Sequence, residues 1–191
     1  MTQAMTQLFV QMSVSLDGFI EDRSGGLDWF AGDDVFDQIL TSTLRGIDGI
    51  VFGRKAYELG AAYWPTAGET AATAAVADQI ALMNSLPKYV LARGKAETGW
   101  ANSRVIRLDD IAGLKAQAKR PLALFGGAQA AQQALDSGHV DELRLIRYPV
   151  LLGGGTLLFA ADSTRRAMTL IETVHHMGGA TVSRYAVEQA A

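Results

Sequence analysis

A short apolar run that ends in glycine and gives way to a helical pattern recurs along this chain, and after Val140 the helices stop. Residues 7–16 alternate as a strand and enter a loop at Asp17-Gly18. Asp33 or Asp34 can cap a helix running to about Arg45, with Val35, Phe36, Ile39, Leu40 and Leu44 at helical spacing. Residues 47–52 form an apolar strand closed by Gly53, after which Arg54-Lys55-Ala56-Tyr57-Glu58 resumes a helix. An alanine-rich helix is expected over 69–84, stopped by Ser85 and Pro87. Strands follow at 88–92 and 104–108, the second leading into a helix capped near Asp109 or Asp110. Residues 121–125 are a further strand, closed by Gly126-Gly127 and followed by a helix to about Asp136. Residues 142–152, 168–176 and 181–187 read as strands with no helix between them, the last two as a hairpin around Gly178-Gly179. Alternation followed by a strand-only tail predicts a three-layer α/β/α fold. Its sheet is mostly parallel with an antiparallel C-terminal hairpin, in a single domain over 7–188.

Composition narrows the chemistry. A formal net charge of −3 offers no basic field for a phosphate backbone, so nucleic acid is not the expected partner and a small molecule is. Zero cysteines exclude disulfides, thiolate metal sites and a cysteine nucleophile. His175 and His176 are adjacent in an expected strand and point to opposite faces, so no metal site is expected. The first 22 residues hold no Lys or Arg ahead of an apolar stretch, and the run from Tyr148 to Ala161 is broken by Gly153-Gly154-Gly155. A cytoplasmic protein without a membrane segment is therefore expected.

GxGxxG, GxSxG and GxxxxGK are absent. Ser85-Leu86-Pro87-Lys88 has the spacing of SxxK, but Pro87 breaks the helical turn that would bring the two side chains together. What remains is a set of turns at the carboxyl ends of the parallel strands, where helix N-termini favour phosphate. Phe125-Gly126-Gly127-Ala128-Gln129 lets the backbone approach a pyrophosphate with no Cβ in the way, although a plain strand-to-helix turn has the same sequence. Gly53-Arg54-Lys55 puts two cations at a helix start, where they oppose the dipole unless an anion sits between them. Arg93 is a third cation on the same edge, and a guanidinium suits a ribose 2′-phosphate, so the expected cofactor is NADPH.

Ser15-Leu16-Asp17-Gly18-Phe19-Ile20, Gly25-Gly26-Leu27-Asp28-Trp29 and Val51-Phe52-Gly53-Arg54-Lys55-Ala56-Tyr57-Glu58 occur in that order. They are followed by Leu86-Pro87-Lys88-Tyr89-Val90-Leu91, Gly126-Gly127-Ala128, and Val140-Asp141-Glu142-Leu143 leading to Pro149-Val150-Leu151-Leu152-Gly153-Gly154-Gly155. Over residues 7–187 the chain thus resembles the dihydrofolate reductase superfamily. It is most similar to stand-alone relatives of the reductase domain of the riboflavin-biosynthesis deaminase-reductase. The resemblance implies NADPH across the strand ends, with Gly126 and Gly127 at the pyrophosphate, commonly joined by a cis peptide. It further implies phosphate contacts from Gly53, Arg54 and Lys55, an adenosine phosphate at Arg93, and backbone contacts from Ser13 and Ile20 to the nicotinamide carboxamide. Ala56 stands where folate reductases usually carry a hydroxyl. A homodimer is also implied.

Hydride transfer needs positioning and exclusion of water more than covalent help. An acid is useful for protonating a C=N group, and the candidates are Asp37, one turn into the first helix, and Asp28, beside Trp29; a solvated helix face and a turn-forming Asp are the structural alternatives. Trp29 could stack on a flat heterocycle, or close the core as a lid, and Arg147 could meet a substrate phosphate, or be a surface strand residue. The expected activity is NADPH-dependent reduction of a pyrimidine- or pteridine-like ring. The nearest family activity is that of 5-amino-6-(5-phosphoribosylamino)uracil reductase; the alternatives are a dihydrofolate reductase and a non-catalytic NADP-binding sensor. A valine at Gly127 is expected to weaken cofactor binding more than it lowers the melting temperature.

Overall fold

The computed structural model describes residues 6–30, 34–70, 73–160 and 163–188; Asp33 lies outside them. Its strands are β1 (Leu8–Val14), β2 (Phe19–Glu21), β3 (Gly49–Gly53), β4 (Lys88–Leu91), β5 (Ser103–Ile106), β6 (Leu122–Phe125), β7 (Glu142–Arg147), β8 (Thr156–Leu157), β9 (Met168–His175) and β10 (Thr181–Val187). Its helices are α1 (Asp34–Arg45), α2 (Arg54–Tyr63), α3 (Ala74–Ser85), α4 (Asp110–Gln117) and α5 (Ala128–Asp136). Eight strands form one sheet in the order β5-β4-β3-β6-β1-β7-β10-β9. The first six of these run parallel, and β10 pairs antiparallel with both β7 and β9.

Every residue of β1 is buried, which suits a central strand covered on both faces. Its alternate side chains serve two cores. Leu8, Val10, Met12 and Val14 pack with Ile111 and Leu114 of α4 and with Ala130, Ala131 and Ala134 of α5. Phe9 packs with Leu40 and Leu44 of α1, Tyr57 of α2 and Met83 of α3. Helices therefore lie on both faces, as the alternation of strand and helix predicts.

Two boundaries and one small sheet differ from the sequence reading. The alanine-rich helix begins at Ala74 rather than Glu69, because Thr73 caps it by accepting the Val76 N–H at 3.2 Å; a short 3₁₀ turn, Ala67–Thr70, occupies the earlier stretch. The strand expected over 142–152 ends at Arg147, two residues before Pro149, which has no N–H for a ladder. A second, two-stranded sheet, β2 with β8, was not expected: at three and two residues these strands carry no readable alternation.

The join of α3 to β4 explains Lys88. Its side chain is completely buried, and Nζ donates to the carbonyls of Met83, Asn84 and Leu86 at 2.8–3.0 Å, so it caps the carboxyl end of α3. It also lies 4.5 Å from the Trp100 ring centre. Burial pushes the ammonium from 10.5 down to about 8. The unfolded chain thus holds a proton that the folded chain has released between about pH 8 and 10.5, and this group makes stability rise with pH across that window. Lys88→Met should lack the rise, which in the natural protein should approach about 3 kcal/mol. Urea unfolding of both proteins at pH 7.5, 9 and 10.5 measures it; parallel pH profiles would contradict the assignment.

Candidate functional site

The carboxyl ends of the parallel strands form one rim, and sheet order sets what lies along it. At the β4–β5 end is an open groove of about 970 Å³ lined by Arg93, Lys95, Arg107, Glu97 and Asp110, among others. Arg93 and Arg107 each follow closely on a strand, and the Arg107 N–H is held by the Asp110 carboxylate at 2.7 Å. Lys95 and Arg107 were missed in the sequence, although Arg107 stands beyond its strand much as Arg93 does.

Next come the turns after β3 and β6, packed against each other. The Gly53 N–H points to the Gly126 carbonyl at 3.4 Å, and Gly126 and Gly127 have φ of +76° and +87°. A Cβ on Gly126 would sit 2.8 Å from the Ala56 Cβ, and one on Gly127 3.3 Å from the Gly53 Cα. The glycines are thus required by left-handed backbone and by the approach of one turn to the other. No cis peptide occurs among the described residues, so the Gly126–Gly127 bond is trans. Gly53 and Gly127 are the N-caps of α2 and α5 and supply no side-chain cap, which leaves the first N–H groups, including those of Ala128 and Gln129, for another acceptor.

The cations at α2 do not stand bare, as the sequence argument supposed. Arg54 lies 3.8 Å from Glu58, both exposed, in a pair worth little. Lys55 Nζ donates to both carboxylate oxygens of Glu21 at 2.9 and 3.1 Å. Glu21 also accepts from the Thr156 hydroxyl, and that bond and Lys55 hold its carboxyl below the usual range against the opposing effect of burial. The strap formed by β2 and β8 is thereby tied to the start of α2. The tie is reinforced by Asp17, whose carboxylate accepts from Ser15 Oγ and from the Leu152 and Gly153 N–H groups at 2.6–3.1 Å. Ile20, in the middle of β2, is half-buried against the main core. If a phosphate is to use Lys55 it must displace Glu21. For a phosphorylated cofactor such as NADPH docked at this helix start, Glu21→Gln should tighten binding about 3- to 10-fold at low salt, an effect of about 1 kcal/mol, with the gain shrinking at high salt. Fluorescence titration at two ionic strengths checks it, and weaker binding by the variant would show that the tie assists the site.

At the far end of the rim, beyond β6, is an aromatic wall. Trp29 lies edge-on to Phe30 and Tyr148 at 4.6 and 5.7 Å, and Phe36 and Ile39 of α1 pack there with Ile146. Trp29 is thus built into a cluster. Arg147 is exposed and follows Ile146, so alternation turns it to the other face of the sheet, away from Trp29. Asp28 is exposed. Asp37 faces α3: its Oδ1 accepts from the Gln79 amide at 3.3 Å and its carbonyl oxygen accepts from the same amide at 3.4 Å. Ser13 is buried opposite Ile146.

An eight-stranded α/β sheet with paired glycine turns at one rim is the dihydrofolate-reductase-like fold. The chain belongs to the RibD C-terminal domain family, whose model matches residues 6–182. It is 32% identical over 171 residues to the uncharacterized protein YyaP of Bacillus subtilis strain 168, covering 87% of each chain. Among solved structures it is similar to a putative riboflavin biosynthesis protein from Shewanella sp. PV-4 (TM-score 0.71, 23% identity, 96% of this chain and 100% of that one). It is also similar to the diaminohydroxyphosphoribosylaminopyrimidine deaminase/5-amino-6-(5-phosphoribosylamino)uracil reductase of Thermotoga maritima (0.68, 12%, 96% and 57%). A third is the dihydrofolate reductase of Enterococcus faecalis, complexed with NADP(H) (0.61, 12%, 96% and 97%). No helix among the described residues is long and apolar enough to cross a membrane.

Proposed function

We propose that this protein is an NADPH-dependent reductase acting on a pyrimidine- or pteridine-like ring, with 5-amino-6-(5-phosphoribosylamino)uracil reductase as the nearest family activity. The observation that carries the reading is the sequence of features along one rim: a cationic groove at β4–β5, two helix starts without side-chain caps at β3 and β6, and an aromatic wall at β1–β7. A dinucleotide bearing an extra phosphate, followed by a flat ring, needs that order. The residues fit the cofactor on the structure's own terms, since two helix starts without side-chain caps open side by side where the glycine turns meet.

In this reading Arg93, Lys95 and Arg107 hold the adenosine phosphate. The N–H groups opening α2 and α5 hold the pyrophosphate, with Arg54 and Lys55 beside it, and the backbone of Ser13 and Ile20 flanks the nicotinamide end. NADPH, when bound, supplies the hydride. The aromatic wall excludes water and orients the acceptor ring, and Asp37 and Asp28 are the carboxylates available to deliver a proton. Arg147, on the other face, serves a substrate phosphate only if that group extends past the rim. A second copy would cover the outer strand β9, where Leu170, Ile171 and Val174 are exposed.

Titration with NADPH and NADH tests the cofactor, and equal or absent binding overturns it. Nicotinamide absorbance followed with the phosphoribosylamino-pyrimidine and with dihydrofolate then separates the two reductase activities. One observation favours a binding or sensor role instead: Asp37 is already engaged by Gln79. Tight NADPH binding with no oxidation on either compound would select that role.

A further inference from the structure

Two buried polar atoms on the aromatic wall, Ser13 Oγ and Trp29 Nε1, have no hydrogen-bond partner among the described residues. Nearly all buried polar groups in folded proteins are paired, and each exception calls for an explanation, of which a water or a bound ligand is one. These two share one compartment. Gln11 Oε1 accepts from Thr43 of α1 at 3.0 Å, so Gln11 points to the α1 side of the sheet, and Ser13, two residues on, points the same way. Ser13 stands directly opposite Ile146 in the β1–β7 ladder, and Ile146 packs in the same cluster as Trp29, Phe30, Phe36 and Ile39. Register also places it beside the glycine turn, because Gln11 pairs with Phe125 immediately before Gly126.

We infer that Ser13 and Trp29 are specificity-determining residues that together read the edge of the ring bound against this wall. The ring is a flat heterocycle with carbonyl or ring-nitrogen acceptors on that edge. This rests on the proposed reductase reading for the presence of an acceptor ring, and adds which atoms select it. An indole N–H can only donate, so the occupant must present an acceptor to Trp29; a hydroxyl can donate or accept, so Ser13 tolerates either group. The aliphatic and aromatic members of the cluster suit the faces of a flat ring, while its polar edge needs hydrogen-bond partners once it leaves water. A phosphorylated arm would have to extend out past the rim.

The test uses pterin and 6-aminouracil as probes and naphthalene as a flat control without acceptors, titrated calorimetrically with and without NADPH. The proteins are the natural chain, Ser13→Ala and Trp29→Phe. Each substitution removes a donor; Ser13→Ala keeps the packing shape, while Trp29→Phe also removes one ring of the indole, a loss that the naphthalene control reads. At least one heterocycle should bind the natural protein, and its affinity should fall about tenfold or more in each variant, or about 1.4 kcal/mol. Naphthalene should bind all three proteins alike. The melting temperature of ligand-free Ser13→Ala should stay level or rise, since an unpaired buried atom has been removed, while that of Trp29→Phe should fall with the packing lost against Phe30 and Tyr148. Equal heterocycle affinity in all three proteins would overturn the inference, as would binding of neither heterocycle to the natural protein. Absent NADPH binding would overturn the reductase reading alone, because the loss of heterocycle affinity in the variants is read without cofactor as well.

Discussion

Glu142→Gln should lower the free energy of unfolding by about 3 to 5 kcal/mol, the cost of breaking a buried ion pair by removing one partner. Glu142 is buried at the start of β7, where Oε1 accepts from Arg144 Nε at 2.6 Å and Arg184 Nε at 2.7 Å, and Oε2 accepts from Arg184 Nη2 at 3.1 Å. Arg144 and Arg184 are direct cross-strand partners in the β7–β10 ladder, so two like charges face each other and this carboxylate holds them together. Arg144 also lies over the Phe9 ring at 3.5 Å and cannot swing out to water without uncovering the core. A glutamine would present an amide N–H₂ to guanidinium donors, take from Arg144 its carboxylate, and leave Arg184 with Glu172 alone at 3.3 Å. Burial by itself would raise the Glu142 carboxyl, but the hydrogen bonds from Arg184 and Arg144 outweigh it and hold it below its ordinary value of 4.5. A carboxyl lowered on folding contributes stability that is present above the unfolded value and lost as pH falls through the folded one. The natural protein should therefore lose more stability than Glu142→Gln on acidification from pH 6 to pH 3. Urea unfolding at both pH values reads the difference, and a variant within 1 kcal/mol of the natural protein at pH 7 would show that the cluster is replaceable.

The pattern that gave the layers is a physical one. Strands buried on both faces must be apolar throughout, helices packed on one side must repeat every three or four residues, and β1, β3 and α1 obey these rules openly. Boundaries set by a single hydrogen bond, such as Thr73 capping α3, and strands of two or three residues, such as β8, leave too little periodicity to read. The site was legible in its backbone part. Glycines at Gly53, Gly126 and Gly127 announce close approach or left-handed backbone, and the structure contains both. Side-chain pairings were not legible, because Lys55 finds Glu21 and Asp37 finds Gln79 across 34 and 42 residues. The argument from bare cations failed for that reason: helix-dipole reasoning sees only the first turn, while the compensating charge arrives from another element. Lys88 illustrates the converse. Its SxxK spacing is real, but three carbonyls of the preceding helix end and turn use all its protons.

Gly127→Val should cost about 2 to 4 kcal/mol of stability and, on the proposed reading of the rim as an NADPH site, reduce NADPH affinity more than tenfold in the protein that still folds. The sequence alone suggests a selective loss of binding, with a branched side chain standing where a phosphate belongs. The geometry couples the two effects. At φ +87° a β-branched residue is strained by about 1 to 2 kcal/mol, and its Cβ would press on the Gly53 Cα at 3.3 Å, pushing apart the turns that open α2 and α5. Both helix starts would shift together, so binding and melting temperature should fall in step. The neighbouring position separates packing from phosphate contact. A Cβ on Gly126 meets a different atom, the Ala56 Cβ at 2.8 Å. Gly126→Ala should therefore be destabilising, and adding Ala56→Gly should recover the steric part while the φ strain at +76° remains. If the double variant regains stability but not NADPH affinity, the missing contact is with the cofactor; if both return together, the turn acts on the cofactor only through the position of α2. Recovery of neither would mean that Ala56 is not the atom Gly126 makes room for.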